Sequence, residues 1–556
     1  MHIIRQWLTG KDGTAKKDIL LLLALFGITF FQALGRFPLI EPDEGRYAEI
    51  PREMMERGDF ITPLLNYVKY FEKPPLHYWL NALSMSVFGQ NEFAARFPGA
   101  LMGLLTVILT YHIGRKLFGR RAGLLSSLVL GTCTGFLVQA RLNITDMTLT
   151  CTLSAALGFF KVAAREDEKL KGLYYHLCYI CAALAVLAKG LIGIVFPGAI
   201  VFLYFLFTKR WNLLREMRLA TGFPLFLLVA APWFVLVSLK NPEFPRFFFI
   251  HEHFERFTTT VHGRYQPFWF FVPVLLGTML PWSFLIPAAV RRAWRERQAE
   301  GDGACLYLLI WAAFIFLFFS KSNSKLVPYI LPVLPALALL TGNAVSHVLD
   351  REFRPLRFQA FLTGVILCIL GAGLALYPHL APEPDISAAG GAFVGALLAM
   401  QGILALGAAY KGNTLALFIV LALFSYILGI VGPSFILPEI AEEKSSKELA
   451  LQVARLAPKD AVIVSFGYEQ GLPFYTKRRV VVVGDKNELE FGSRQGDQSA
   501  WFIDLLQFPR FLRLWNGERP VFLLLSEGEL GHIKPLLKTP FTVLGRNKRK
   551  TLITNR

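Results

Sequence analysis

Carboxylates and bases crowd into one stretch near the N-terminus. Glu41-Pro42-Asp43-Glu44-Gly45-Arg46-Tyr47-Ala48-Glu49 leads into a helical stretch to Arg57, then Tyr67-Val68-Lys69-Tyr70-Phe71-Glu72-Lys73-Pro74-Pro75-Leu76-His77-Tyr78-Trp79. Asp43 follows an apolar run and a proline. An acid at a membrane interface is costly unless it has partners. The same position suits the N-cap of a helix starting near Glu44, and the two readings are compatible. Lys73 precedes a Pro-Pro pair, which holds it extended. Beside Arg46 it offers a charge-assisted grip on a phosphate. Glu49, Arg52, Glu53 and Glu56 fall at helical spacing and read first as a solvated face.

Three further places carry candidate chemistry. His253, in His251-Glu252-His253, has Arg256, Arg264 and Tyr265 nearby; as a lone signal it reads first as an ordinary loop histidine. If the segments holding Glu72 and His253 meet, the pair could share a divalent ion. Asn143-Ile144-Thr145-Asp146 sets an acid at the start of an apolar run, either as a functional carboxylate or as part of a helix cap. Ser320-Lys321-Ser322-Asn323-Ser324-Lys325 joins two apolar runs with two bases, explained by an anionic ligand or by lysines snorkelling to headgroups.

The elements that must hold these residues are membrane helices. Of 556 residues, 54% are hydrophobic and only 18% charged, which excludes a soluble multidomain enzyme and a disordered chain. Thirteen apolar runs are near bilayer length: 19–39, 97–114, 122–140, 145–163, 173–188, 190–207, 219–239, 268–290, 305–319, 326–348, 358–377, 390–409 and 414–432. The net charge of +18 sits in short clusters between these runs, not in a patch, so no nucleic-acid partner is expected. The clusters alternate: Lys11, Lys16 and Lys17, then Arg115 to Arg121, Lys209 to Arg218, Arg291 to Arg297 and Arg351 to Arg357. By the positive-inside rule these loops and the N-terminus are cytoplasmic. An odd number of spans places residues 433–556 on the outer face with two long loops, 40–96 and 240–267. The six cysteines all lie in apolar runs, and Cys178-x-x-Cys181 has no second pair; they read as packing residues, not a disulfide scaffold.

The last 124 residues or so change character. Residues 444–457 predict an amphipathic helix, and Ala461–Phe466, Arg479–Gly484 and Pro520–Ser526 predict short buried strands. The expected architecture is therefore mainly α: a transmembrane domain over 1–432, with the site built from its outer loops, and a small α/β domain over 433–556. The latter reads as an accessory or lid domain, with Gly467-Tyr468-Glu469-Gln470-Gly471 as no more than a turn.

Glu41-Pro42-Asp43-Glu44-Gly45-Arg46-Tyr47, Phe71-Glu72-Lys73-Pro74-Pro75-Leu76-His77-Tyr78-Trp79, and Ser320-Lys321 with Lys325-Leu326, Tyr329 and Leu331-Pro332 resemble the bacterial lipid A aminoarabinose transferases. These belong to the GT-C glycosyltransferases, related to protein O-mannosyltransferases. The resemblance covers essentially the whole chain. It implies a multi-pass enzyme of the bacterial inner membrane, with site and C-terminal domain periplasmic. The donor would be undecaprenyl phosphate-linked 4-amino-4-deoxy-L-arabinose and the acceptor a lipid A phosphate, giving polymyxin resistance. On the same resemblance, Asp43 and Asp146 are the catalytic acids, Arg46, Tyr70 and Lys73 face the donor phosphate, and Glu72 with His253 bind a divalent metal, Zn2+.

Two other readings stand beside it. A protein O-glycosyltransferase, or another GT-C enzyme, would use the same donor class with a different acceptor. A transporter would explain the spans, but it predicts interrupted helices with polar midplane residues in related halves, and it leaves the charged outer loop idle.

Overall fold

The computed structural model describes residues 14–255, 266–297, 303–349 and 356–556, with the side chains of 253–255 excepted. The fold is mainly helical, and the chain divides into two compact units, Met1–Gln32 with Gly99–Phe435, and Ala33–Pro98 with Ile436–Arg556.

Each of the thirteen apolar runs contains helix, most of it in the first unit, but they are not thirteen uniform rods. Among the described residues eight helices are by themselves long and apolar enough to cross a bilayer: Glu92–Phe118, Glu168–Lys189, Leu219–Lys240, Ala304–Lys321, Val327–Val348, Arg357–Leu380, Ala388–Tyr410 and Thr414–Glu443. A ninth is a bent pair, Phe268–Thr278 and Ser283–Arg295, turned through 113°. The other four runs fall short for local reasons. Ala15–Phe31 and Ile192–Thr208 are each 17 residues long. The run 122–140 breaks between Arg120–Gly131 and Thr134–Gln139. Thr145–Ala163 carries Thr148, Thr150, Thr152 and Ser154, so it is less apolar, and it is buried along nearly its whole length. Two of its hydroxyls are absorbed by the helix itself: Thr150 and Thr152 donate to the carbonyls of Asp146 and Thr148, at 2.7 and 2.9 Å. Such back-bonding removes the cost of a buried hydroxyl.

Arg141 is buried in this unit and serves as a backbone clamp. Its guanidinium donates to the carbonyls of Thr29, Gln32 and Gly429. Thr29 and Gln32 lie at the C-terminal end of Ala15–Phe31, where carbonyls lack helical partners. Arg357–Leu380 and Ala388–Tyr410 approach closely through small residues: a Cβ on Gly371 would stand 2.5 Å from the Gly395 carbonyl oxygen, the close backbone contact that glycine permits between membrane helices.

The second unit departs from the expected domain plan, because the loop 33–98 clusters with the C-terminal region and not with the spans. The predicted tail elements are present as the helix Lys447–Leu456 and the strands β3 (Val462–Phe466), β4 (Val481–Val483) and β6 (Val521–Leu525). Three more strands complete the sheet: β5 (Phe502–Ile503), β7 (Thr542–Arg546) and β8 (Thr551–Thr554), in the order β5-β4-β3-β6-β8-β7. β3 pairs in parallel with β4 and β6, and β4 with β5; β8 is antiparallel to both β6 and β7. Parallel neighbours need crossover segments, and short helices supply them, so this is an α/β domain.

The loop contributes the helices Asp43–Arg57 and Leu76–Phe88, and a hairpin of β1 (Leu64–Leu65) and β2 (Val68–Lys69). The hairpin turn places Asn66 and Tyr67 at φ of 53° and 62°, as a two-residue turn matched to strand twist requires. Tyr47, Ile50, Met54, Leu65, Val68, Tyr70 and Tyr78 of the loop share one core with Tyr468, Val482, Leu489 and Phe502 of the tail. Each such large side chain stabilises the unit by roughly 1.5–3 kcal/mol through burial. Asn66 adds specificity, donating to the Val480 carbonyl and accepting the Val480 N–H, both at 2.9 Å.

Candidate functional site

The helix Asp43–Arg57 carries the charged cluster of the second unit. Pro42 occupies its capping position without any side-chain cap. Asp43 is thus the first helical residue and not the N-cap. A carboxylate there still gains from the helix dipole, but its specific partner is Arg46, whose Nη2 lies 2.7 Å from Asp43 Oδ1. Asp43 is half exposed and Arg46 buried, so the carboxylate faces outward while the guanidinium is anchored beneath it. The anchor is built from both ends of the unit. Arg46 Nη1 donates to the Tyr70 hydroxyl at 3.4 Å, and Nε stands 3.6 Å from Glu488 Oε1. Gln470 donates to the same Glu488 oxygen at 2.9 Å.

Burial works against the charge on Arg46, but Tyr70, Glu488, Tyr47 and Asp43 together hold its pKa above the ordinary value. Burial pushes the Tyr70 phenol up, and the Glu72 carboxylate adds to that shift. Tyr70 is therefore a neutral hydroxyl able to donate, and Glu72 belongs to the same neighbourhood. Lys73 Nζ donates to the Glu72 carbonyl at 2.9 Å and lies 3.8 Å from Glu72 Oε2.

The rest of the helix corrects the expected solvated face. Glu49, Arg52 and Glu53 are all buried. Arg52 donates to both Glu49 oxygens, at 2.6 and 2.7 Å, and to Glu56 at 2.6 Å. Glu53 accepts the Tyr67 backbone N–H at 2.9 Å, which fixes the positive-φ turn of the hairpin. Burial, with Glu49 beside it, raises the Glu53 pKa. Glu44 is likewise structural: it accepts the Ile40 N–H at 2.8 Å and pairs with Arg96 at 2.7 Å.

In the first unit, Asp146 lies in the opening turn of Thr145–Ala163, where Ile144 holds the capping position without a side-chain bond. Its carboxylate pairs with Lys189, the last residue of Glu168–Lys189, and both side chains are largely buried. Lys189 Nζ lies 4.7 Å from the centre of the Tyr329 ring. This group of acid, ammonium and phenol is a second candidate cluster. Lys325 is not an outward-facing base: it is buried and donates to the carbonyls of Gln266, at 2.8 Å, and Ser322. Desolvation lowers its pKa. Neither of the two readings of that lysine describes this role.

The structure thus joins Asp43, Arg46 and Tyr70, places Glu72 and Lys73 beside each other, and gives Asp146 a partner. The His253 side chain lies outside the described residues. Among those described, no group of three or more His, Cys, Asp or Glu is gathered for a metal. Sequence reasoning missed Glu488 and Gln470, for which no local signal exists. Lys189 carried a weak one, as a lone charge between two apolar runs. The turn at Gly467–Gly471 proves to be a contact surface for the loop, not a bare reversal.

Residues 72–236 match the model of the dolichyl-phosphate-mannose-protein mannosyltransferases, and residues 449–555 that of the aminoarabinose transferase C-terminal domain. The chain is 30% identical to the undecaprenyl phosphate-alpha-4-amino-4-deoxy-L-arabinose arabinosyl transferase of Aeromonas hydrophila, over 96% of this chain and 98% of the relative. It is 31% identical to that of Aeromonas salmonicida, over 93% and 96%. The crystal structure of ArnT from Cupriavidus metallidurans bound to undecaprenyl phosphate superposes with a TM-score of 0.85 at 31% identity, covering 97% of this chain and 98% of that one. An oligosaccharyltransferase from Archaeoglobus fulgidus shares the fold at a TM-score of 0.55 and 14% identity, covering 85% of this chain and 65% of that one. With nearly its full length matched at this identity, the chain belongs to the aminoarabinose transferase family of the GT-C glycosyltransferases.

Proposed function

We propose that this protein transfers 4-amino-4-deoxy-L-arabinose from undecaprenyl phosphate to a phosphate of lipid A. The observation that carries the reading is the full-length likeness to ArnT bound to undecaprenyl phosphate, in a chain that sets Arg46 and the Tyr70 hydroxyl beside an outward-facing Asp43. A protein O-glycosyltransferase is the second reading, favoured by the mannosyltransferase match over 72–236; the aminoarabinose-type C-terminal domain at 449–555 speaks for the first.

A lipid-linked donor needs an enzyme that lies in the bilayer, and the apolar helices meet that need. Counting the short and bent helices, thirteen crossings take a cytoplasmic N-terminus to a periplasmic tail. The alternating Lys and Arg loops support that orientation, in the bacterial inner membrane. The site then lies on the periplasmic side with the C-terminal domain.

The reaction breaks the bond from the sugar's anomeric carbon to the undecaprenyl phosphate oxygen and forms one to an oxygen of the acceptor phosphate. Negative charge grows on the leaving phosphate. Arg46 and Lys73 stabilise it as fixed cations, and Tyr70 donates its hydroxyl proton in a hydrogen bond. The acceptor phosphate is already anionic and needs no strong base. Asp43 therefore orients the acceptor or stabilises positive charge developing on the sugar. Asp146, held by Lys189, is the second acid of the reading.

The family resemblance also implies a divalent metal. A carboxylate with an imidazole suits zinc better than magnesium, so Glu72 and His253 would hold it, and it would supply Lewis-acid stabilisation of the leaving phosphate. Mass spectrometry of lipid A from cells with and without the gene tests the function. The expected result is an aminoarabinose-sized mass shift that depends on the gene; lipid A of unchanged mass overturns the reading.

A further inference from the structure

A carboxyl group that the reaction does not use ties the first loop to the tail. Glu41 lies two residues before Asp43 and is buried. Its Oε1 accepts the backbone N–H groups of Ser446 and Gly471, each at 3.2 Å, and the Ser446 hydroxyl. Its own N–H donates to the Lys444 carbonyl at 3.1 Å. Its Oε2 is buried and meets no donor among the described residues. The remaining hydrogen-bonding neighbour of this carboxyl is another acid, Glu469. Glu469 is buried too, and the Lys550 ammonium lies 3.0 Å from its Oε1.

Two buried carboxylates in contact do not both ionise, and one ammonium balances one charge. A proton on Glu41 Oε2, donated to Glu469, makes the orphaned oxygen a donor and removes the repulsion. We propose that Glu41 is a positioning residue which, in its protonated form, donates to Glu469 and so seats the Asp43-bearing helix on the C-terminal domain. The inference rests on the reading of Asp43 as the reacting carboxylate.

The seat is tight. A Cβ on Gly45 would stand 2.7 Å from the Gly471 nitrogen, so the helix meets the Gln470-Gly471 backbone directly. Repulsion between Glu41 and Glu469 would therefore displace the first helical turn, where Asp43 and Arg46 sit.

Burial and Glu469 raise the Glu41 pKa, while the hydrogen bond from Glu41, with Lys550 and Arg549, outweighs burial and lowers that of Glu469. A group whose folded pKa is raised contributes below its unfolded pKa and loses the contribution as pH rises through the folded value. The other groups around the seat are the Tyr468 phenol, kept neutral by burial, and two closed ion pairs, Glu44 with Arg96 and Lys447 with Glu92.

The test combines infrared spectroscopy of the full-length protein with the pH profile of transfer from undecaprenyl-phosphate aminoarabinose. Wild type is expected to show a protonated carboxyl band at neutral pH that Glu41→Gln lacks. Wild-type transfer is expected to fall as pH rises through the Glu41 pKa; Glu41→Gln, whose amide still donates to Glu469, keeps transfer within about threefold and loses this alkaline fall, while Glu41→Ala loses about tenfold or more. Glu469→Gln also removes the alkaline fall, because no second carboxylate remains to repel Glu41. A neutral-pH spectrum unchanged by Glu41→Gln, or a Glu41→Gln profile with the wild-type alkaline fall, overturns the proposal. The band reports the proton without reference to transfer, so failure of the functional reading and failure of this proposal are separate results.

Discussion

Arg46 and Glu488 come from opposite ends of the chain, yet the guanidinium Nε lies 3.6 Å from the carboxylate Oε1. Both side chains are largely buried, and Asp43 takes the exposed face of the same guanidinium. One arginine is thus shared between an acid that faces outward and an acid that the C-terminal domain supplies. A domain read from sequence as an accessory completes the surroundings of the arginine expected to meet the donor phosphate.

Asp43→Asn is expected to abolish transfer while leaving the fold intact. Pro42, not Asp43, holds the capping position, so no cap is lost, and Asn still accepts a hydrogen bond from Arg46. Lipid A mass spectra beside a thermal melt of the purified variant check both halves. Near-normal lipid A modification would remove the catalytic role.

Lys73→Ala and Arg46→Ala are each expected to weaken undecaprenyl phosphate binding by about 1.5–3 kcal/mol, tenfold to a hundredfold. Lys73→Ala is the cleaner test, because Arg46→Ala also strips the buried Glu488 of a partner. Donor affinity measured in detergent decides. Unchanged affinity in both variants would separate these residues from the phosphate.

Arg96→Ala is expected to damage folding and not chemistry. Arg96 is fully buried and donates to the carbonyls of Leu34, Phe37 and Pro38 at 2.6–2.7 Å, and to both Glu44 oxygens at 2.7–2.8 Å. Removing one partner of such a pair costs about 3–5 kcal/mol. The outcome is a lower melting temperature or lost expression; a stable variant without activity would instead place Arg96 at the site.

Metal content separates a zinc site from an ordinary loop histidine. Purified wild type is expected to retain about one zinc and His253→Ala to lose it, read by elemental analysis and anomalous scattering. Full activity after exhaustive chelation would leave Glu72 as an ion-pair neighbour of Lys73 and not a metal ligand.

Apolar runs of bilayer length, the alternation of basic loops and the density of acids and bases in one loop were legible in the sequence, because each is a property of neighbouring residues. The tail strands β3, β4 and β6 were legible for the same reason, as short runs of mainly aliphatic residues. β5, two residues long, and β7, largely exposed, left no such mark.

Side-chain partnership was a different matter. The spacing of Glu49, Arg52, Glu53 and Glu56 fits a solvated face and a buried network equally well, and only packing against the hairpin and tail decided for the network. Asp146 announced itself by its place, but its pairing with Lys189 depended on how two helices meet. Likewise, the grouping of residues 33–98 with the tail arises from a shared aromatic core and from the Gly45–Gly471 contact. Hydropathy and helical period act over a few residues, whereas these contacts join positions hundreds of residues apart, so they were settled only when the chain folded.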